Sequence, residues 1–290
     1  MDWLPLTLLS AFGLATADAV TKKCMGDYRV RELVILRFAM AGILLLPLLL
    51  MEPWPQLPAG FWRWTGLLLP LEILAMLLYM RAIRDSPLGL TLPYLAFTPV
   101  INTLTGYLLL GERVSSIGFA GISLVVAGAW LLNLEHARTA ERHAWLAPFS
   151  AIIRETGSRL MLMVAVLYSL TSVMGKGALQ YVSPSFFGPF YFFLLGSVTL
   201  VLFSIREPAV VRVLWRRPGC NLLLGAAMAM MVITHFLAIE RIEVAYMIAV
   251  KRTSLLFGIL YGALLFGESR LPEHLLAGVL MVTGVILIAG

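Results

Sequence analysis

Long apolar runs, broken at short intervals by polar corners, dominate this chain. Ten of them approach the ~20 residues that cross a bilayer as a helix. They are 3–20, 33–51, 64–81, 88–110 and 116–134, then 160–179, 186–204, 220–239, 244–266 and 271–289. The connections between them leave no room for a soluble domain. The pattern predicts an all-α integral membrane protein of ten transmembrane helices, whose function lies within the membrane. The first run contains Ala17-Asp18-Ala19, which mimics a small-x-small cleavage site. It is preceded by Asp2 and by no Lys or Arg, whereas a secretory signal opens with positive charge, so it reads as a retained helix.

Polar residues inside the runs carry the chemistry. The ninth run holds two adjacent cations, Lys251 and Arg252, followed by Thr253 and Ser254. At ~1.5 Å per residue Lys251 is roughly 10 Å into a hydrocarbon core about 30 Å thick. A charge at such depth costs about 2.5–3.5 kcal/mol on insertion scales unless compensated, which makes it the default functional site. Glu72 in the third run has a similar depth on the same face, and Lys176 ends the sixth run there. Depth therefore predicts one polar layer of three cations and one anion, with surplus positive charge for an incoming carboxylate or phosphate. Arginine offers such groups a planar fork and lysine a point charge. Snorkelling of the two cations, or their pairing with Glu72 and Asp18 as structural ion pairs, is the competing account. Tyr94 and Asn102 in the fourth run are expected to line the same cavity. Arg37 reads as an interfacial anchor, Glu112 and Glu268 as caps or gates, and His235 as a packing residue or proton carrier.

Composition supports this class. Hydrophobic residues make up 60% and charged residues 13%, against the ~25% charged of soluble domains, and mean hydropathy is +0.90. The formal charge of +6 resides in loops that flank the runs, so it implies membrane lipids and no nucleic-acid partner. Loops after odd-numbered runs hold fifteen cations and those after even-numbered runs three. The positive-inside rule then places the odd loops in the cytoplasm and both termini outside. Cys24 and Cys220 indicate no disulfide framework.

The halves repeat at a spacing of 156 residues: Gly111-Glu112 matches Gly267-Glu268, Gly106 matches Gly262, Ala82-Ile83 matches Ala238-Ile239, and Gly128 matches Gly284. Five runs per half is an odd number, so the second copy enters from the opposite face, as in inverted-repeat carriers with a central site. The chain divides into a first repeat (1–134), a basic linker (135–159) and a second repeat (160–290). With Arg37-Phe38, with Ala82-Ile83 through Pro93 to Pro99, and with Gly121, Gly128, Gly278 and Gly284, this order resembles the ten-helix EamA-type members of the drug/metabolite transporter superfamily. Lys251-Arg252 also resembles the Lys-Arg pair of plastid sugar-phosphate translocators, a likeness that implies contact with a substrate phosphate.

The function expected is secondary transport of a small anionic metabolite, phosphorylated or carboxylated, by alternating access in a bacterial cytoplasmic membrane. The substrate-binding residues expected are Lys251, Arg252, Lys176, Glu72, Tyr94, Asn102, Thr253 and Ser254. Exchange for a counter-substrate or symport with a proton would drive it, because no P-loop is present. Export of amino acids or other zwitterions, with Glu72 meeting the amine, and flipping of a lipid headgroup are the alternatives. The four histidines, 136, 143, 235 and 274, are scattered and show no His-Glu-x-x-His spacing. An enzyme, a metal site and a cofactor are therefore not expected.

Overall fold

The computed structural model describes residues 2–85, 92–137, 156–266 and 275–290. Every element among them is helical. Helix α1 spans Trp3–Cys24. Helix α2 starts at Val30, where Glu32 Oε2 accepts the Arg29 backbone N–H at 2.7 Å and so satisfies an orphan donor. It passes through a π-helical turn at Leu36–Met40 and resumes over Ala41–Met51. Helix α3 covers Ala59–Asp85. A 3-10 turn at Leu92–Phe97 leads into α4, Thr98–Leu110, and α5 is Ser116–Ala137. In the second half come α6 (Thr156–Ala178), α7 (Pro184–Ser204) and α8 (Pro218–Ile239). Helix α9 is broken into α9a (Val244–Lys251) and α9b (Ser254–Phe266), and α10 is Leu275–Ala289.

Seven of these spans are long and apolar enough to cross a membrane, and three shorter apolar helices (Tyr94–Leu110, Ser116–Leu131, Leu275–Ala289) complete the ten. The linker residues 138–155, with His143, lie outside the described residues, as do the Gly267-Glu268 pair, Arg270 and His274. Large apolar side chains such as Leu104, Leu108, Leu264, Leu275 and Ile286 point outward, where lipid takes the place of a protein partner.

Packing follows the inverted repeat. Helix α3 lies on α6 as α8 lies on α1, while α2 meets α7, α4 meets α9a and α5 meets α10 across the pseudo-twofold axis. The α5–α10 crossing is set by glycine. A Cβ on Gly284 would stand 2.6 Å from the Gly121 carbonyl, and one on Gly121 would stand 2.8 Å from the Gly284 carbonyl. Small residues thus bring the two backbones together where no hydrophobic force between helices operates. At Gly258, by contrast, an added Cβ would meet nothing within 4 Å among the described residues.

The cysteines correct the expectation drawn from composition. Cys24 and Cys220 are bonded, their Cα atoms 6.3 Å apart, and tie the end of α1 to the start of α8. Around them Arg216 and Arg217 reach Asp27 at 2.8 and 3.1 Å, and Arg217 donates to the Cys24 carbonyl. Arg29 meets Glu207 at 2.7 Å, and Arg216 lies 4.6 Å over the Tyr28 ring. The basic corner is therefore internally paired.

Candidate functional site

A cavity of about 150 Å³ opens at the centre, between the two halves. Glu72, Met76 and Tyr79 of α3 line it, as do Met228, Val232 and His235 of α8, together with Leu95, Lys251 and Arg252. Four of these pairs are related by the 156-residue spacing: Glu72 and Met228, Met76 and Val232, Tyr79 and His235, Leu95 and Lys251. The two repeats thus supply the same positions with different chemistry. At these four positions the first half places a carboxylate and a phenol, the second an imidazole and an ammonium. Tyr168, Thr171 and Ser172 of α6 and Tyr191 of α7 complete the polar wall.

Helix α9 breaks at its cations. The Arg252 N–H is shared between Ile248 O (3.2 Å) and Ala249 O (3.1 Å), and Thr253 N donates to Val250 O at 3.0 Å. Leu255 N then donates to Arg252 O at 3.0 Å. For one turn the ladder tightens from i−4 to i−3 before α9b resumes, the kind of irregularity that concentrates at functional sites. Helix α2 is irregular in the opposite sense, its ladder widened in a π-turn that contains Arg37 and Phe38, both of which line the cavity.

The charges are compensated unequally. Arg37 is 2% exposed, bonded to Asp18, and 3.3 Å from Thr21 Oγ1. It is a buried, paired group, not the interfacial anchor its depth implied, because Asp18 and Thr21 lie one turn apart on α1 and face α2. Lys251 Nζ lies 3.1 Å from His235 Nδ1 and 3.3 Å from Met231 Sδ, two neutral contacts. Among the described residues, the buried Nε of Arg252 has no hydrogen-bond partner. Glu72 lines the same cavity as Lys251, Arg252 and Thr171.

The predicted layer of four charges is not assembled. Glu72, Lys251 and Arg252 meet at the cavity, but Lys176 is engaged elsewhere. Its Nζ is 2.6 Å from Glu112 Oε1 and donates to Ile242 O at 2.7 Å. Gly111, in the left-handed region at φ 71°, ends α4 in an αL cap: Gly111 N donates to Tyr107 O at 3.1 Å, and Glu112 N donates to Gly106 O at 3.2 Å. That turn aims the Glu112 carboxylate at α9a, where Oε2 accepts the Val244 N–H at 2.9 Å. Glu112 thus caps α9a, favourably placed at the positive end of its dipole.

The remaining expected residues lie outside the lining. Asn102 Oδ1 accepts from Ser169 Oγ at 2.8 Å, across the α4–α6 contact. Tyr94 is buried edge-on against Trp130, with ring centroids 6.1 Å apart. Thr253 is buried and its hydroxyl makes no hydrogen bond among the described residues, while Ser254 is half-buried. Sequence reasoning did not assign Arg37, Tyr79, Tyr168 or Tyr191 to the cavity. For Tyr79, the repeat itself held the signal, since it is the counterpart of His235. Among the described residues no cluster of three or more His, Cys, Asp or Glu is placed to hold a metal ion.

Comparison with known proteins agrees with this architecture. A solved crystal structure superposes with a TM-score of 0.75 at 18% identity, covering 98% of each chain, which bears on the fold alone. The probable 4-amino-4-deoxy-L-arabinose-phosphoundecaprenol flippase subunit ArnE of Pectobacterium atrosepticum is 32% identical over 89 residues, 29% of this chain and 79% of that protein. The ArnE of Yersinia pseudotuberculosis serotype O:1b is 30% identical over 71 residues, 24% of this chain and 62% of its own length. The profile of the EamA-like transporter family matches residues 1–134 and again 156–290. With two matched repeats, ten membrane helices and a cavity between the halves, this multi-pass membrane protein belongs to the EamA-like transporter family.

Proposed function

We propose that the chain is a secondary carrier of an organic anion, phosphorylated or carboxylated, bound between the halves and moved by alternating access. One observation carries this reading: Lys251 and Arg252 line the central cavity, and among the described residues no carboxylate is bonded to either and the buried Nε of Arg252 lacks a partner. Removing charge from water is costly, and an unpaired cation is the costly half of a broken ion pair. A substrate oxygen at Arg252 repays that cost only while bound, so the binding energy is reserved for the substrate. The irregular turns of α2 and α9 flank the cavity and are the places where the helices can flex as the halves rock.

A second reading shares the same anion chemistry. The ArnE proteins are named as flippase subunits for a lipid-linked phosphosugar bearing an amine. A cavity with two cations and one carboxylate, Glu72, would hold a phosphate at one end and an amine at the other. Thermal unfolding of purified protein with phosphate esters, carboxylates, amino acids and undecaprenyl phosphate separates the readings. A ligand at 100 times its Kd adds about 2.7 kcal/mol. Stabilisation by water-soluble anions, lost in Arg252→Met, supports the carrier; stabilisation by the lipid phosphate alone supports the flippase; none by any anion removes both.

A further inference from the structure

The contact between Lys251 Nζ and His235 Nδ1, at 3.1 Å, limits how many protons the pair can carry. A hydrogen bond between two nitrogens holds one proton on its axis. Either the ammonium donates to the imidazole lone pair, or an imidazole N–H donates to a neutral amine. A protonated Nδ1 facing an ammonium at this distance sets two like charges against each other. The second neighbour of Lys251 Nζ, Met231 Sδ at 3.3 Å, is a weak acceptor and removes no charge.

The surroundings sharpen the constraint. Arg252 adds a third cationic or basic group one residue away on α9, and it lines the same cavity. From α3 the facing groups are Glu72 and Tyr79, from α6 Tyr168, from α7 Tyr191, and from α2 Arg37, whose charge Asp18 of α1 already neutralises. Glu72 is thus the one carboxylate in the lining among the described residues, set against Lys251 and Arg252. One negative charge balances one cation and leaves the other. Adding a proton to His235 in the empty cavity would bring the surplus to two.

An anion changes the count. Its oxygens take the ammonium donors of Lys251 and the guanidinium donors of Arg252, and they free Nδ1 of His235 from its role as acceptor. A proton from the bathing solution then binds Nδ1, and the new N–H donates to the same anion. Charge balances: the substrate brings at least one negative charge, the proton one positive. Histidine is suited to this because its ordinary charge change lies near neutral pH. We propose that His235 and Lys251 form the proton-coupling site of the carrier, so that each anion is bound together with one proton and the transport is anion–proton symport. This rests on the anion reading above.

The test uses an anion whose own charge does not change near neutral pH, so that any proton taken up belongs to the protein. Purified full-length protein in detergent is titrated with sulfate and with phenyl sulfate by calorimetry, in two buffers of different ionisation heat. The difference in heat gives the protons bound per anion. About one proton per anion is expected just above neutral pH, with apparent affinity falling about tenfold per pH unit where uptake is complete, as reciprocal linkage requires. His235→Asn keeps an acceptor near the Nδ1 position and cannot be protonated; it is expected to bind without proton uptake and with pH-independent affinity. His235→Gln, which carries its amide one atom further out, serves if the Asn variant does not fold. Anion binding by the native protein without proton uptake overturns the coupling and leaves the carrier reading standing. Proton uptake that persists in the folded histidine variants overturns it too. Failure of both anions to bind the native protein overturns the anion reading and the coupling with it.

Discussion

Lys176 of α6 and Glu112 of the α4–α5 corner stand 2.6 Å apart, and the same carboxylate caps the first turn of α9a. One ion pair therefore fixes a corner at which three spans meet. Both side chains are mostly buried, at 21% and 11% exposure, so breaking the pair leaves a carboxylate without its cation. Lys176→Met is expected to destabilise the protein by about 3 kcal/mol, the lower end for a broken buried pair. Lys176→Met with Glu112→Gln should recover most of the loss, because the orphaned charge goes too. Chemical unfolding of the single and double variants in detergent measures this. A single variant of native stability that no longer binds anion would move Lys176 back to the substrate.

Arg252→Met should behave in the opposite way. The guanidinium lines the cavity with its buried Nε unpaired, so the native fold carries its desolvation cost without a compensating partner. Replacing it with an apolar side chain of similar length is expected to leave stability unchanged or raise it by about 1 kcal/mol, while anion-induced stabilisation disappears. Sites that hold strain for function commonly trade in this direction. Melting curves with and without anion report both quantities in one experiment. A large fall in melting temperature would make Arg252 a structural group.

These two variants also mark what the sequence could disclose. The apolar runs, their number and the repeat are properties of one-dimensional spacing, and among the described residues each run is built of helix. The depth of Glu72, Lys251 and Arg252 was readable for the same reason, since rise per residue converts position into height. Depth says nothing about which way a side chain points around its helix. Lys176 has the height of the others and faces Glu112, while Arg37, within a π-turn, is buried in the protein and paired with Asp18. Helix tightening at Arg252 and the bond between Cys24 and Cys220, 196 residues apart, depend on tertiary neighbours that no local pattern encodes.

The α5–α10 crossing gives a test with no tie to transport chemistry. Gly284 faces the Gly121 carbonyl so closely that a Cβ would lie 2.6 Å away, and backbone cannot swing aside as a flexible side chain can. Gly284→Val must push the helices apart. The expected cost is about 1–3 kcal/mol, the range for overpacked sites, seen as a lower melting temperature. Gly258→Val, at a position with open space around it, should cost far less. Equal destabilisation at both positions would mean that the loss comes from glycine in helices generally and not from this crossing.

The cysteine pair tests orientation. The cation count places the corner after α1 and the one before α8 in the cytoplasm, where thiols are kept reduced. Yet Cys24 and Cys220 are neighbours with Cα atoms 6.3 Å apart, close enough to bond whenever the compartment allows it. If the fifteen-to-three excess of loop cations sets the topology, both thiols in growing cells are free and react with a membrane-permeant maleimide after acid quenching. The same protein, purified in air, cross-links and then loses stability on treatment with dithiothreitol, by about 2–4 kcal/mol for a disulfide of ordinary worth. Thiols already oxidised at the moment of quenching would put this corner on the oxidising face of the membrane. The termini would then be cytoplasmic, and Lys176, Glu112 and the start of α9 would be nearer the cytoplasmic side of the cavity than the outer one.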